Sequence, residues 1–413
     1  MDTRERTTAV GHLDADCFYV SAERVRDAFL VDKPVGVLGN QGACVIAKSY
    51  EMKAAGVKTA DPIWEALVKC PDGIYVKRDF RWYEVLSRLM RDLVHELSPR
   101  VEYYSIDEFF FQAEVRGGRT FQDLAEAMRD RIWERIGVPV TVGIARTRTL
   151  AKLISDAAKP HGALAVIDED EVEQFLAVQP VTEITGVAGR RAARLAPWGI
   201  ATCLDLARAD RRLVRKLLTA AGETLWWELN GEPVQAIHSR RPAHKALSRG
   251  GSFGESTADP MVLYAWLVRN LERLIEELRF HDVAAGRLTV MVQYKTGHTG
   301  AGGKSLVVPS DRFDVLLETA RPCLRQAWMR GVQATHMHLI AENLAPRGQC
   351  ALALFDPPSQ RIQAEAVARV KEQINDRHGR FTLRSAATLY LPSIYRDTAN
   401  AYDICDIRGK ICF

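Results

Sequence analysis

The sequence predicts a multidomain α/β protein, and three observations lead there. The chain has 413 residues, too many for one ordinary domain. Its first 165 or so residues alternate β-branched runs with amphipathic helical patterns, and residues 170–235 read as helix alone. Residues 246–342 then follow the order strand–helix–strand–strand–helix–strand, a ferredoxin-like βαββαβ unit. Hydrophobic residues at 47% and charged residues at 26% are the balance of a folded, water-soluble chain.

Taken in order, residues 9–20 predict a strand running into a helix, with Asp14 and Asp16 set inside an apolar run. A carboxylate there is costly to bury unless it is paired or bound to a metal. Residues 34–38 and 43–47 predict two short strands around the turn Gly39-Asn40-Gln41-Gly42. Helical patterns follow at 49–55 and 62–69. A stronger one covers 82–97, with Leu86, Leu89, Met90, Leu93 and Leu97 on one face. Residues 101–111 are β-branched and aromatic, hence β. Helix is expected at 121–136, strand at 139–145, and helix again at 148–158, ending at Lys159-Pro160-His161-Gly162. In the all-helical stretch, Gly186, Gly189 and Arg190 belong to a Gly-rich turn. Such a turn can present backbone N–H groups to a DNA phosphate, or it can simply join two helices. Residues 236–245 read as a basic linker. From 346 onward come a loop, one helix near 359–374 and a tail.

The net charge of +4 permits a nucleic-acid partner without requiring one. From 236 to 345 there are fourteen Lys/Arg against ten Asp/Glu, an excess that matters only if it lies on the sheet face. The eight cysteines form no Cys-x-x-Cys pair, which argues against zinc-ribbon or thioredoxin chemistry. Cys17, Cys44, Cys70, Cys203 and Cys323 are expected as reduced thiols, and Cys405 and Cys412 would stay reduced in a cytosol. With a polar N-terminus and no run of 18 apolar residues, the expected location is the cytoplasm, with no membrane partner.

The chemistry-bearing signal is Asp14 together with Ser105-Ile106-Asp107-Glu108. Neighbours on a regular strand point to opposite faces, so Asp107 and Glu108 reach one site only at a turn or strand tip. Clustered carboxylates suit Mg²⁺, which takes hard oxygen ligands. Two such ions about 3.5–4 Å apart stabilise the attacking and leaving oxygens of an in-line phosphoryl transfer.

At these residues the chain resembles the Y-family, or translesion, DNA polymerases. The resemblance rests on Asp14 to Tyr19, Tyr104 to Glu108, Gly143-Ile144-Ala145, Thr149 to Lys152 and Ala158-Lys159-Pro160, and it covers essentially the whole chain. Cys44 to Ala47, Gly56-Val57-Lys58, Leu97 to Glu102 and Ser252 to Glu255 resemble most the branch of UmuC, the catalytic subunit of polymerase V. The resemblance implies a right-hand polymerase. Its palm would be 1–18 and 81–168, its small fingers 19–80 and its helical thumb 169–235. A linker at 236–245, a DNA-binding little finger at 246–345 and a tail at 346–413 would complete it.

It further implies roles for single residues. Asp14 and Asp107 would bind two Mg²⁺ ions, with Mn²⁺ a possible substitute. Glu108 would complete the site beside the primer hydroxyl, and the Ala15 carbonyl would also touch a metal. Tyr19 would be a steric gate against ribose, with Phe18 beside it. Tyr50, Lys53 and Lys159 would contact the incoming triphosphate. Asp16 reads as a supporting carboxylate.

Three departures stand out. Many relatives carry Arg where Lys53 stands, and Lys lacks the bidentate fork. Ala47 replaces a hydroxyl residue, and Tyr50 is unusual for the UmuC branch. These changes bear on nucleotide affinity rather than on the reaction.

Gln349, Leu352, Leu354 and Phe355 resemble the peptide by which bacterial polymerases dock on the sliding clamp β, Leu354 and Phe355 filling an apolar pocket. The partners implied are primer-template DNA, deoxynucleotides and the clamp. For the UmuC branch a UmuD′-like dimer and a RecA filament join them, in the SOS response to DNA damage.

Residues 297–305 mimic a P-loop, but His298 takes the place of its first glycine and a β-like run follows, so a hairpin loop is expected. His336 and His338 alternate with Met337 and Leu339 and suit an open sheet face better than a metal site. The leading reading is low-fidelity translesion synthesis. The competing reading, from another class, is a non-catalytic, clamp-bound accessory that keeps the fold. A palm-type nucleotide cyclase would need neither the βαββαβ unit nor the clamp peptide.

Overall fold

The first strand, β1 (Thr7–Ala15), runs straight into α1 (Phe18–Arg26) through Cys17, which adopts a left-handed conformation with φ of 47°. The computed structural model describes residues 7–39, 44–239, 243–347, 358–379 and 381–391. These fall into two compact units, one ending by residue 239 and one beginning at 243. The clamp-like residues Gln349, Leu352, Leu354 and Phe355, and Cys405 and Cys412, lie outside the described residues.

In the first unit β1 is followed by β2 (Val35–Leu38), β3 (Val45–Lys48), α2 (Tyr50–Ala54), α3 (Ile63–Lys69) and β4 (Ile74–Lys77). Strands β3-β2-β4 form a small sheet, the expected fingers. Next come α4 (Phe80–Leu97), β5 (Val101–Tyr103), β6 (Glu108–Val115), α5 (Phe121–Ile136), β7 (Val140–Ala145), α6 (Arg148–Ala157) and β8 (Ala163–Ala165). The main sheet has the order β5-β6-β1-β7-β8, so β1 is central.

Alternation along β1 decides what each face carries. Leu13 is fully buried with Phe109 and Phe111 in the core. His12 and Asp14 point the other way, toward α6. That helix lies directly on the strands because residue 143 is glycine: a Cβ there would stand 2.3 Å from the Ala151 carbonyl oxygen. His12 is fully buried and bonds the Ser155 hydroxyl of α6 at 2.6 Å. Burial, reinforced by Lys152, Lys159 and Arg148, holds its pKa well below the ordinary imidazole value.

Helix α4 begins two residues earlier than expected, where the Asp79 carboxylate caps the Trp82 N–H. Leu89, expected on its buried face, is 47% exposed. The buried face is centred on Tyr83, Met90 and Val94, which puts Leu89 about 120° round the helix.

The helices α7 (Glu169–Val178), α8 (Gly189–Leu195), α9 (Cys203–Arg208) and α10 (Arg211–Leu229) complete this unit. Thr219, with φ of 69°, kinks α10. Gly186 turns the chain before α8 with φ of 95°, and its carbonyl accepts from Arg191 at 2.6 Å. The segment expected as linker starts bound to α6 and β5: Arg148 donates to the Ala236 carbonyl at 2.9 Å, and the His238 N–H donates to Glu102 at 2.8 Å.

The second unit contains β9 (Ala246–Thr257), α11 (Pro260–Phe280), β10 (Val283–Tyr294), β11 (Thr299–Ser310), α12 (Phe313–Ala327) and β12 (Ala334–Glu342), the expected βαββαβ order. The strands line up as β11-β10-β12-β9. The hairpin therefore ends on one edge and the first strand on the other, the ferredoxin arrangement run in reverse along the chain. Leu288, Val290, Val292, Met337 and Leu339 pack against α11 and α12. Residues 297–305 fall on the β10–β11 hairpin, not a P-loop. His336 and His338 alternate with buried Met337 and Leu339, hence on the face away from the helices. Helix α13 (Pro358–His378) follows. Among the described residues no helix is long and apolar enough to cross a membrane.

Candidate active site

The site is assembled by strand register. Asp14 of β1 pairs directly with Glu108 of β6 on one side and with Thr141 of β7 on the other. Cross-strand partners share a face with Cβ atoms about 4.5–5.5 Å apart. Asp107 belongs to the turn that precedes β6, not to the regular strand, so it escapes strand alternation. That turn is pinned three ways. Ile106 is 1% exposed in the core, the Ser87 hydroxyl donates to the Ile106 carbonyl, and the Ala15 N–H donates to the Asp107 carbonyl at 2.9 Å. Ser105 donates its hydroxyl to the Asp107 carboxylate.

Two lysines from α6 and the turn after it face the carboxylates. Lys152 pairs with Glu108 and, at 3.6 Å, with Asp156. Lys159 lies 3.1 Å from Asp14 and 2.8 Å from Asp156. Residues 152, 156 and 159 repeat at helical spacing, so the end of α6 and the turn after it present Lys, Asp and Lys to the sheet. Burial works against both ammonium charges, yet the neighbouring carboxylates raise both pKa values.

Asp14 shows the balance of the cluster. Burial pushes its pKa up to about 8, Glu108 and Asp107 add to the rise, and Lys159 and Lys152 oppose it. Burial is thus the larger cost to the Asp14 charge, and the two lysines offset only part of it. Among the described residues no three acidic, His or Cys side chains converge at metal-binding distance. Each carboxylate is turned to its own partner: Asp14 to Lys159, Glu108 to Lys152, Asp107 to Ser105. Hard oxygen donors with uncompensated negative charge fit a hard divalent cation.

Asp16 is a tether rather than part of this cluster. Its carboxylate accepts from Thr141 at 3.0 Å, from the His161 N–H at 2.7 Å and from the Tyr50 hydroxyl at 3.3 Å. It thereby joins β7, the loop after Lys159 and α2. Burial, then the charge of Asp16, pushes the Tyr50 phenol above its ordinary pKa. Lys53, one turn on, is exposed with its ammonium 6.0 Å from the Tyr50 ring.

Phe18 and Tyr19 open α1 immediately after the site strand. Phe18 is 3% exposed and Tyr19 half-buried, their rings 5.8 Å apart. The Tyr19 ring stacks on Tyr83 of α4 at 4.7 Å and 16°. Gly186, Gly189 and Arg190 are exposed in the helical region and are not part of this cluster.

Sequence reasoning gave no separate role to Lys152, Asp156, Ser105 or Tyr83. The spacing of 152, 156 and 159 was a readable signal for the first two. The contact between Tyr19 and Tyr83, 64 positions apart, had none.

Residues 13–156 match the model of the impB/mucB/samB family, and residues 244–354 match that of the family's C-terminal domain. The chain is 30% identical to Protein SamB of Salmonella typhimurium over 380 residues, 88% of this chain and 89% of that one. It is 34% identical to DNA polymerase IV 2 of Mesorhizobium japonicum over 80% of this chain and 78% of that protein. With Protein UmuC of Salmonella typhimurium it shares 28% over 90% and 91%. Among solved structures, a Y-family DNA polymerase chimera built on Dbh superposes with a TM-score of 0.71 at 23% identity, over 81% of this chain and 99% of that one.

Proposed function

The chain belongs to the impB/mucB/samB family of Y-family DNA polymerases, and from that premise we propose that it performs low-fidelity, DNA-templated DNA synthesis across damaged template. The observation that carries the reading is Asp14 paired across the sheet with Glu108, beside the Asp107 turn and beneath two lysines.

Asp14, Asp107, Glu108 and the Ala15 carbonyl are the residues that would hold two Mg²⁺ ions, with Mn²⁺ as substitute. Those ions supply stabilisation of the attacking and leaving oxygens of an in-line displacement. The chain's own groups do the rest. Lys159 and Lys53 give charge, and Tyr50 a phenol donor, to the triphosphate of the incoming deoxynucleotide. Tyr19 would set its ring against a 2′-hydroxyl, and Phe18 would fill the space beside it. The turn at Gly186, Gly189 and Arg190 and the open sheet of the second unit are the surfaces for primer-template DNA.

Gln349, Leu352, Leu354 and Phe355 would tether the enzyme to the sliding clamp. Likeness to UmuC supports a place in SOS mutagenesis in the cytoplasm, with a UmuD′-like dimer and a RecA filament as partners.

Primer extension tests the reading. With Mg²⁺ and deoxynucleotides the purified chain extends a primer and inserts opposite an abasic site. Asp107→Ala reduces both by at least about 10³-fold. Extension that stops completely at the lesion overturns the translesion reading. No extension by the wild type, with or without the accessory partners, overturns the enzyme.

A further inference from the structure

We propose that Glu23 determines sugar specificity as a positioning residue: it fixes the aromatic platform against which Tyr19 rests, and so sets how strictly the site rejects ribose. The inference rests on the reading of Tyr19 as a steric gate.

A gate works only if it cannot retreat. A ring that yields by about 1 Å relieves the clash with a 2′-hydroxyl and loses its discrimination, since mispositioning on that scale already changes rates by orders of magnitude. What stands behind Tyr19 therefore matters as much as Tyr19 itself.

Behind it lies Tyr83, fully buried, with the two rings stacked at 4.7 Å and 16°. Phe80 meets Tyr19 edge-on at 5.7 Å and 70°. The Tyr83 hydroxyl donates to Glu23 at 2.6 Å. Glu23 is 4% exposed and sits one helical turn beyond Tyr19 on α1.

The same carboxylate takes both prongs of Arg26, Nε and Nη2, at 2.9 Å each. Arg26 Nη1 reaches Asp79 at 2.8 Å. Asp79 in turn caps α4, the helix that carries Phe80 and Tyr83. The circuit closes on itself: α1 supplies Tyr19, Glu23 and Arg26, and α4 supplies Asp79, Phe80 and Tyr83. A second rivet, the Trp82 indole N–H to the Ala22 carbonyl at 2.6 Å, holds the two helices in register. Within this network Glu23 is the one group bonded both to the platform ring and to the fork that anchors its helix.

A merely structural Glu23 and a positioning Glu23 predict different kinetics. If the carboxylate only packs α1 on α4, its loss lowers incorporation of deoxy- and ribonucleotides in parallel. If it positions the gate, the ratio of the two kcat/KM values changes.

The test is single-nucleotide insertion with matched dNTP and rNTP by wild type, Glu23→Gln, Glu23→Ala and Tyr83→Phe. Glu23→Gln keeps an acceptor for the tyrosine but weakens the Arg26 fork, and Tyr83→Phe keeps the ring but removes the hydroxyl. We expect the dNTP/rNTP ratio to fall about tenfold in Glu23→Ala and about threefold to fivefold in the other two, while dNTP kcat/KM stays within about twofold. If Glu23→Ala does not fold, Glu23→Gln and Arg26→Lys carry the test. A ratio unchanged in the folded variants, or a parallel fall for both sugars, overturns the proposal. Tyr19→Ala separates the two readings: if it leaves discrimination intact, the gate itself is misassigned. If it abolishes discrimination while the Glu23 variants do not change it, only the platform fails.

Discussion

The two large sheets of this chain share a construction and differ in what their working faces carry. In the first unit, the face under α6 collects Asp14, Glu108 and the adjoining Asp107, with Lys152 and Lys159 packed over them. In the second unit, α11 and α12 cover one face, and the other presents Arg287, Thr289, Met291, Gln293, His336, His338 and Ile340. Arg287 is 3.4 Å from Glu342, which also accepts from Thr289 at 2.7 Å. Among the described residues, the excess of Lys and Arg over 236–345 is therefore not carried by the open face of β10 and β12. A catalytic face needs charge it cannot neutralise alone, because unmet charge attracts the cation and the phosphates. If the second face is a DNA surface, its few charges leave most of the attraction to phosphate to other parts of that unit, because charge contacts to phosphate supply sequence-independent binding.

The largest expected break in this contrast comes from removing one cation from beside each face. Lys152→Met leaves Glu108 without its partner in a buried setting, and primer extension falls by about 10- to 100-fold. Arg287→Met removes a half-exposed, already paired charge, and extension changes by less than about twofold. Equal losses would show that the two faces are electrostatically alike.

Stability should show the same asymmetry. Asp14 has a folded-state pKa near 8, far above the ordinary carboxylate value, so the folded protein holds this proton more tightly than the unfolded chain. The associated stability is present at low pH and is lost as pH rises from about 4 to about 8. Asp14→Asn cannot ionise. In metal-free buffer we expect it to be more stable than wild type by about 1–3 kcal/mol at pH 8, with the gain shrinking toward pH 5. Mg²⁺ should erase the gain at pH 8 by stabilising the wild type alone. Denaturant melts at both pH values measure it, and a gain that grows toward acid pH would reverse the assignment.

The contrast also marks what could be read in advance. Most of the element order of both sheets was legible because strand alternation and helical spacing are local signals, although the three-residue β8 is too short to give one, and the three carboxylates stood out as acids in apolar β segments. The position of Leu89 was missed because five leucine-like residues fix a helix face only to within a quarter turn. The platform under Tyr19 and the reversed strand order of the second sheet depend on contacts between distant segments, which no local pattern encodes. The neutrality of the second sheet's open face lay between these cases. Alternation along β10 and β12 sorts their residues into two faces, but only the placed helices say which face stays open.

The smallest effect, and the sharpest test of that neutrality, is to add charge where there is none. Met291 lies between Thr289 and Gln293 on the open face and pairs with His338 across β12. Lysine there has a long stem that packs along the sheet while its ammonium reaches outward. If this face lies against the DNA backbone, Met291→Lys adds one phosphate contact. The slope of log K against log salt for primer-template binding then steepens by about 0.9, and affinity at low salt rises several-fold. If the face lies away from DNA, neither quantity moves. Lysine at exposed Met261, on α11 over the opposite face, is the matched control for net charge alone. An identical change in both variants would mean that the added charge acts at long range, and that the neutral face has no part in holding the duplex.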